Sequence, residues 1–163
     1  MGTLPQSVLD EIDSLPLEDV AKPLLQAAVP DISVHTFIPM KEVDDLFPFV
    51  LVQGYSREYG LDDDRYLDSG LVSVQSFTTG DDGDQDGALV QLAIRRALRR
   101  LSAQHYRIND DVSVVKVTLV SRPKRVPDWA TATGPVQFAD LPVAAWRYES
   151  IYRITFRKKP TSE

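Results

Sequence analysis

The chain has 163 residues, enough for one globular domain and too few for two, since a domain of about 150 residues already buries roughly 70% of its unfolded surface. Its 43% hydrophobic and 9% aromatic content excludes collagen-like and disordered classes, and the absence of cysteine excludes disulfide scaffolds, thiol redox pairs and thiolate metal sites. The net charge of −6 conceals a division, because residues 1–90 carry 18 acids against 4 bases and residues 91–163 carry 6 against 14, so an overall repulsion of nucleic acid and anionic membrane leaves room for a basic face.

The start, Met1-Gly-Thr-Leu-Pro, has no basic region followed by an apolar one, so synthesis and retention in the cytosol are expected. Ser7-Val-Leu-Asp-Glu-Ile-Asp offers an N-cap and a short helical turn, and Pro16-Leu-Glu-Asp-Val opens a second helix with Pro at its first position and acids in its first turn. Val20, Leu24, Leu25 and Ala28 form its apolar stripe. Pro23 predicts a break or kink there, and Pro30 ends the segment. Ile32 to Ile38 alternates as a strand. Phe47 to Gln53 reads as a second strand, apolar on both sides and therefore central, with Gly54 at its end. The longest apolar run, Leu46 to Val52, is interrupted by Pro48 and is far below the ~20 residues that cross a bilayer.

Tyr55 to Gly70 is polar and acidic and reads as a loop leading to a strand over Leu71 to Phe77. Gly80-Asp-Asp-Gly-Asp-Gln-Asp-Gly then supplies N-cap candidates for a helix over Ala88 to His105. Val90, Ile94, Ala97 and Leu101 share one face of it, flanked by Ala93 and Leu98, while Arg95, Arg96, Arg99 and Arg100 share the other. Val112 to Val120 alternates as a half-buried strand. Ser121 to Ala145 is Pro-rich and reads as a long irregular connection, the expected contact arm, with Arg122, Lys124, Arg125 and Trp129 as its docking residues. Trp146 to Arg157 alternates as the last strand, with Ile151 out of pattern, and residues 158–163 form a solvated tail. This order predicts a single α+β domain: an antiparallel or mixed sheet of four to five strands, packed by one long helix and short N-terminal helices.

No catalytic pattern stands out. His35 and His105 are seventy positions apart and form no spaced metal pair, and there is no nucleophile elbow, phosphate-binding loop or dinucleotide fingerprint. The reading is therefore that the chain is not an enzyme and uses no cofactor. Asp82-Gly-Asp-Gln-Asp-Gly matches the first six positions of an EF-hand loop, but position twelve falls on Ala93, which lacks the bidentate acid. An acidic strand-to-helix turn is the simpler reading, with a weak magnesium contact between the two. Three readings stand for the helix arginines: a solvated face, a contact with DNA, or a subunit interface in which they meet Asp62, Asp63, Asp64, Asp82 and Asp84 of a neighbour. The divided charge suits the last, as head-to-tail contacts close into a ring when the rotation allows.

The order of elements, together with Phe49-Val-Leu-Val-Gln-Gly, Leu71-Val-Ser-Val-Gln-Ser-Phe, the acidic turn, Ala88-Leu-Val-Gln-Leu-Ala-Ile-Arg-Arg-Ala-Leu, Val112-Ser-Val-Val-Lys-Val and Tyr148-Glu-Ser-Ile-Tyr-Arg-Ile-Thr-Phe, resembles the tail terminator proteins of long-tailed bacteriophages. The resemblance runs from about residue 5 to 157. It implies an α+β subunit without catalytic residues, metal or cofactor. It also implies a homohexameric ring at the head-proximal end of the virion tail, which seats on the tail-tube protein, stops tube growth and offers a docking face to the head-tail connector or stopper protein. DNA would pass through such a ring without specific binding, and no membrane is involved. A head-side stopper of the same virion and a monomeric α+β binding module are the alternatives.

Overall fold

A computed structural model describes residues 4–11, 16–38, 43–58, 67–126 and 145–157. In chain order the elements are a single helical turn α1 (Gln6–Leu9), α2 (Leu17–Ala28), β1 (Ser33–His35), a 3₁₀ turn (Val43–Leu46), β2 (Phe49–Glu58), β3 (Leu67–Thr78), α3 (Gly83–Ala103), β4 (Ser113–Arg125) and β5 (Trp146–Arg157). The five strands form one mixed sheet in the order β1-β2-β3-β5-β4, in which the β1–β2 pair is parallel and the rest are antiparallel. α2 packs over β1, β2 and β3, α3 packs over β3, β4 and β5, and the two helices touch. This is the α+β architecture that the order of elements predicts.

Alternation divides the sheet. Val50, Val52, Val72, Val74, Ile154 and Phe156 face the helices and meet Val20, Leu24, Leu25, Ile94, Leu98 and Leu101 in the main core. The other face carries a smaller cluster of Phe49, Leu51 and Phe77, against which Ile38, Leu46 and Phe47 pack. There the rings of Phe49 and Phe77 stack at 4.6 Å, and His35 meets Phe49 edge-on at 6.0 Å. β2 is thus buried on both sides where it is apolar, as expected of Phe49-Val-Leu-Val.

Several boundaries differ from the sequence expectation, each for a physical reason. Ser7 lies inside α1, which Pro5 precedes. Pro23 does not end α2; Leu17, Val20 and Ala21 before it and Leu24 and Leu25 after it are all buried, and burying five such side chains outweighs the roughly 3 kcal/mol that an internal proline costs. β1 is three residues long. β2 does not stop at Gly54 but continues through a bulge between Gly54 and Ser56, so β2 and β3 take up both ends of the polar stretch expected as a loop. Backbone pairing needs no apolar side chain, and Glu18 of α2 accepts a 2.9 Å hydrogen bond from the Gly54 N–H at the free edge of β2. α3 begins five residues earlier than its apolar period, at Gly83. His105, in the left-handed region at φ 49°, follows its end and closes it, with its own N–H donating to the Ser102 carbonyl and that of Tyr106 to the Leu101 carbonyl.

The first half of α3 is held to the sheet by polar side chains. Thr78 donates to the Gly83 carbonyl, Ser76 to the Gly87 carbonyl at 3.3 Å, and the fully buried Gln91 amide donates to the carbonyls of Val74 and Tyr148, each at 3.2 Å. The Gln91 carbonyl in turn accepts from Ser150 at 2.8 Å. Glycine makes the approach possible, since a Cβ on Gly83 would stand 2.5 Å from the Trp146 ring and one on Gly87 2.7 Å from the Tyr148 ring. Gln91→Leu should therefore lower unfolding stability by about 2 kcal/mol in urea titration, because it removes the 2.8 Å acceptor of the Ser150 hydroxyl and leaves it only the Val74 carbonyl at 3.5 Å. Adding Ser150→Ala should recover part of that loss; an additive double mutant would contradict the network.

Candidate functional site

The solvent-facing side of α3 is one long stripe in three zones. Asp82 stands exposed just before the helix, and Asp84 and Asp86 lie in its first turn. Leu89 and Leu92 follow, 52% and 58% exposed, with Ala93 exposed beside them. Arg96, Arg99 and Arg100 complete the stripe in full exposure, and Arg95 is half-buried at its flank. Residues three and four apart share a helix face, which is why the zones align along the axis. The ridge is thus a basic strip in which, among the described residues, none of the four arginines forms an ion pair. Ala93, expected beside the buried face, lies on this outer one.

The acidic end is built differently from the sequence expectation. Because the segment from Gly83 onward is already helical, Asp82-Gly-Asp-Gln-Asp-Gly cannot wrap a cation as an EF-hand loop does. Asp84 instead accepts a hydrogen bond from the Tyr148 hydroxyl at 2.5 Å and pairs with Arg125 at 3.2 Å. The Arg125 guanidinium also lies over the Trp146 ring, 5.6 Å from its centroid. Asp84 thus has two partners within its own chain, and Arg125 is one of them. Among the described residues no group of three or more His, Asp or Glu gathers as a metal site.

The contact arm also needs correction. Ser121 to Arg125 is not irregular but is the last part of β4, so Arg122, Lys124 and Arg125 stand on an edge strand, all three exposed. Pro123 is tolerated because it falls in the register shift between Ser121 and Lys124, on a strand with one free edge. Asp62, Asp63, Asp64 and Trp129 lie outside the described residues.

Two features went unread in the sequence. Leu89 and Leu92 are apolar residues off the buried stripe, a signal present in their three-residue spacing. Beside Leu89, a groove of about 390 Å³ opens between α3 and the chain entering β2, lined by Phe47, Pro48, Thr78, Asp86 and Val90. Its walls are mainly apolar, with Asp86 and the hydroxyls of Thr78 and Thr79 as the polar side-chain groups.

Fold and surface together define an α+β domain whose distinctive feature is an exposed helix ridge, acidic, then apolar, then basic. No family model matches the chain, and no curated protein is significantly similar to it.

The Asp84 bond raises the Tyr148 hydroxyl above its ordinary pKa of 10, with burial a second cause. A phenol whose folded pKa is raised stabilises fully below the unfolded value and loses that contribution as pH rises through the folded one. Stability should therefore fall above about pH 10. Tyr148→Phe should cost about 1 kcal/mol at neutral pH and flatten that alkaline fall. Some slope will remain from Tyr152, which burial also raises; an unchanged alkaline slope in Tyr148→Phe would remove the Asp84 bond from the account.

Proposed function

We propose that this chain is a tail terminator: a subunit that forms a ring on the last ring of a phage tail tube, ends tube polymerisation and offers its other side to the head-tail connector. The observation that carries this reading is the ridge Arg96, Arg99 and Arg100, without an ion pair among the described residues, on an exposed helix in a chain whose first 90 residues have a large excess of acids. Such a division gives each copy a basic side and acidic partners for it on the next, the arrangement that head-to-tail rings require. The α+β fold is of the class that the sequence resemblance implies, and the ridge, not a catalytic centre, is its most developed surface. No cofactor and no membrane enter the reading, and DNA passes through the ring without being read.

Six copies of 18.3 kDa give a ring of about 110 kDa, formed at high concentration or on the tube end. Reversing Arg96 and Arg99 to Glu should block ring formation, seen by light scattering and negative stain, while leaving the monomer folded, because exposed charges contribute at most about 1 kcal/mol each to folding. Raising salt should weaken the wild-type ring. Phage deleted for this gene should make filled heads and separate tails of irregular, often excessive length. Tails of normal length beside heads that leak DNA would favour a stopper and overturn the terminator reading.

A further inference from the structure

We infer that the N-terminal segment around α1 is the plug that fills the groove beside Leu89 in a second copy of the chain. The inference rests on the self-assembling reading above and names the contact that would carry it.

Both halves of this contact are mainly apolar, and both are exposed among the described residues. α1 buries none of its residues, and Leu4, Val8 and Leu9 are 55%, 45% and 44% exposed. A four-residue helix cannot hold itself by propensity, so its apolar side chains need a surface to stand on. The groove, with Leu89 on its helix side and the exposed Leu92 about one turn farther along α3, is an apolar concavity with room for two such side chains.

Within one copy the two halves are not joined: Val8 and Leu9 are exposed and are not among the residues that line the groove. α2 begins at the end of the sheet where Leu17 packs on Gly70 and Glu18 bonds Gly54, near the start of β3. The groove sits at Thr78, where β3 ends. From Gly70 to Thr78 the strand spans on the order of 26 Å at ~3.3 Å per residue. A plug and a socket built from different surfaces of one chain make a heterologous contact, which propagates from copy to copy.

Charge selects this occupant. On α1 the apolar Val8 and Leu9 are followed directly by the exposed Asp10 and Glu11, and on α3 the apolar Leu89 and Leu92 are followed by Arg96 and Arg99. Arg96 lies one turn, ~6 Å, beyond Leu92. With Val8 and Leu9 seated beside the leucines, the two carboxylates reach the arginine ridge, which has no ion pair among the described residues. Asp10 keeps its 2.8 Å contact with the Gln6 amide through one oxygen and has the other to offer.

The test uses two full-length variants, Val8→Asp/Leu9→Asp, which spoils the plug, and Leu89→Asp/Leu92→Asp, which spoils the socket. All four positions are exposed, so both chains should fold, as circular dichroism and urea titration will verify. By sedimentation velocity over a concentration series, the wild type should associate and each variant alone should remain at 18.3 kDa. An equimolar mixture should give a 1:1 dimer of about 37 kDa and nothing larger, since it has one good plug and one good socket. Association of either variant alone to the wild-type extent overturns the docking but leaves the terminator reading standing. A mixture that stays monomeric, or a wild type that never associates, also overturns it. The heterodimer together with normal tail lengths in deleted phage would keep the docking and dismiss the terminator.

Discussion

The close seating of α3 on the sheet is the constraint from which the rest of this molecule follows. Three positions one turn apart, Gly83, Gly87 and Gln91, give the helix a narrow face without large apolar side chains. That face meets the rings of Trp146 and Tyr148 and the hydroxyls of Thr78, Ser76 and Ser150. A helix held by hydrogen bonds over its first half and by Ile94, Leu98 and Leu101 over its second is fixed in rotation as well as in distance. Apolar packing alone tolerates some rotation; directional bonds to two strands do not.

Fixing that rotation decides what faces solvent. With the glycines and Gln91 turned inward, Leu89 and Leu92 must point outward, although a helix that sought maximal burial would turn them in. Their exposure is thus the consequence of a specified orientation, and it sets an apolar patch next to the arginine ridge. The same seating brings Asp84 under Tyr148 and Arg125, which ties the start of α3 to the edge strand β4 and leaves the arginines farther along as charge unmatched among the described residues. In the proposed ring that unmatched charge is what a neighbour's acids satisfy.

How much of this the sequence disclosed follows the physics of each signal. β5 was legible from end to end because Trp146, Tyr148, Tyr152, Ile154 and Phe156 alternate to one face; on the other face the apolar Ile151 and the buried Arg147 depart from the pattern. The apolar period of α3 was legible too, but its true start was not. Gly83 and Gly87 punctuate like loop residues, and their value lies in contacts with rings some sixty residues away, which local pattern cannot register. Gln91 reads as one more polar position for the same reason. The long β2–β3 hairpin and the last third of β4 escaped notice because edge pairing is carried by the backbone, and Arg125 finds Asp84 across 41 positions. Of the candidate site, the arginines were identified from spacing alone. The groove, and the exposed leucines as a patch, needed the fold.

The central claim is that this chain stops a growing tube, and purified components test it without recourse to phage genetics. Tail-tube protein is polymerised in the presence and absence of the chain, and tube lengths are counted by negative-stain microscopy. The account predicts that substoichiometric amounts, on the order of one ring per tube end, halt elongation and leave a ring visible on capped ends. Tubes whose length distribution is unchanged at any amount of added chain would contradict it.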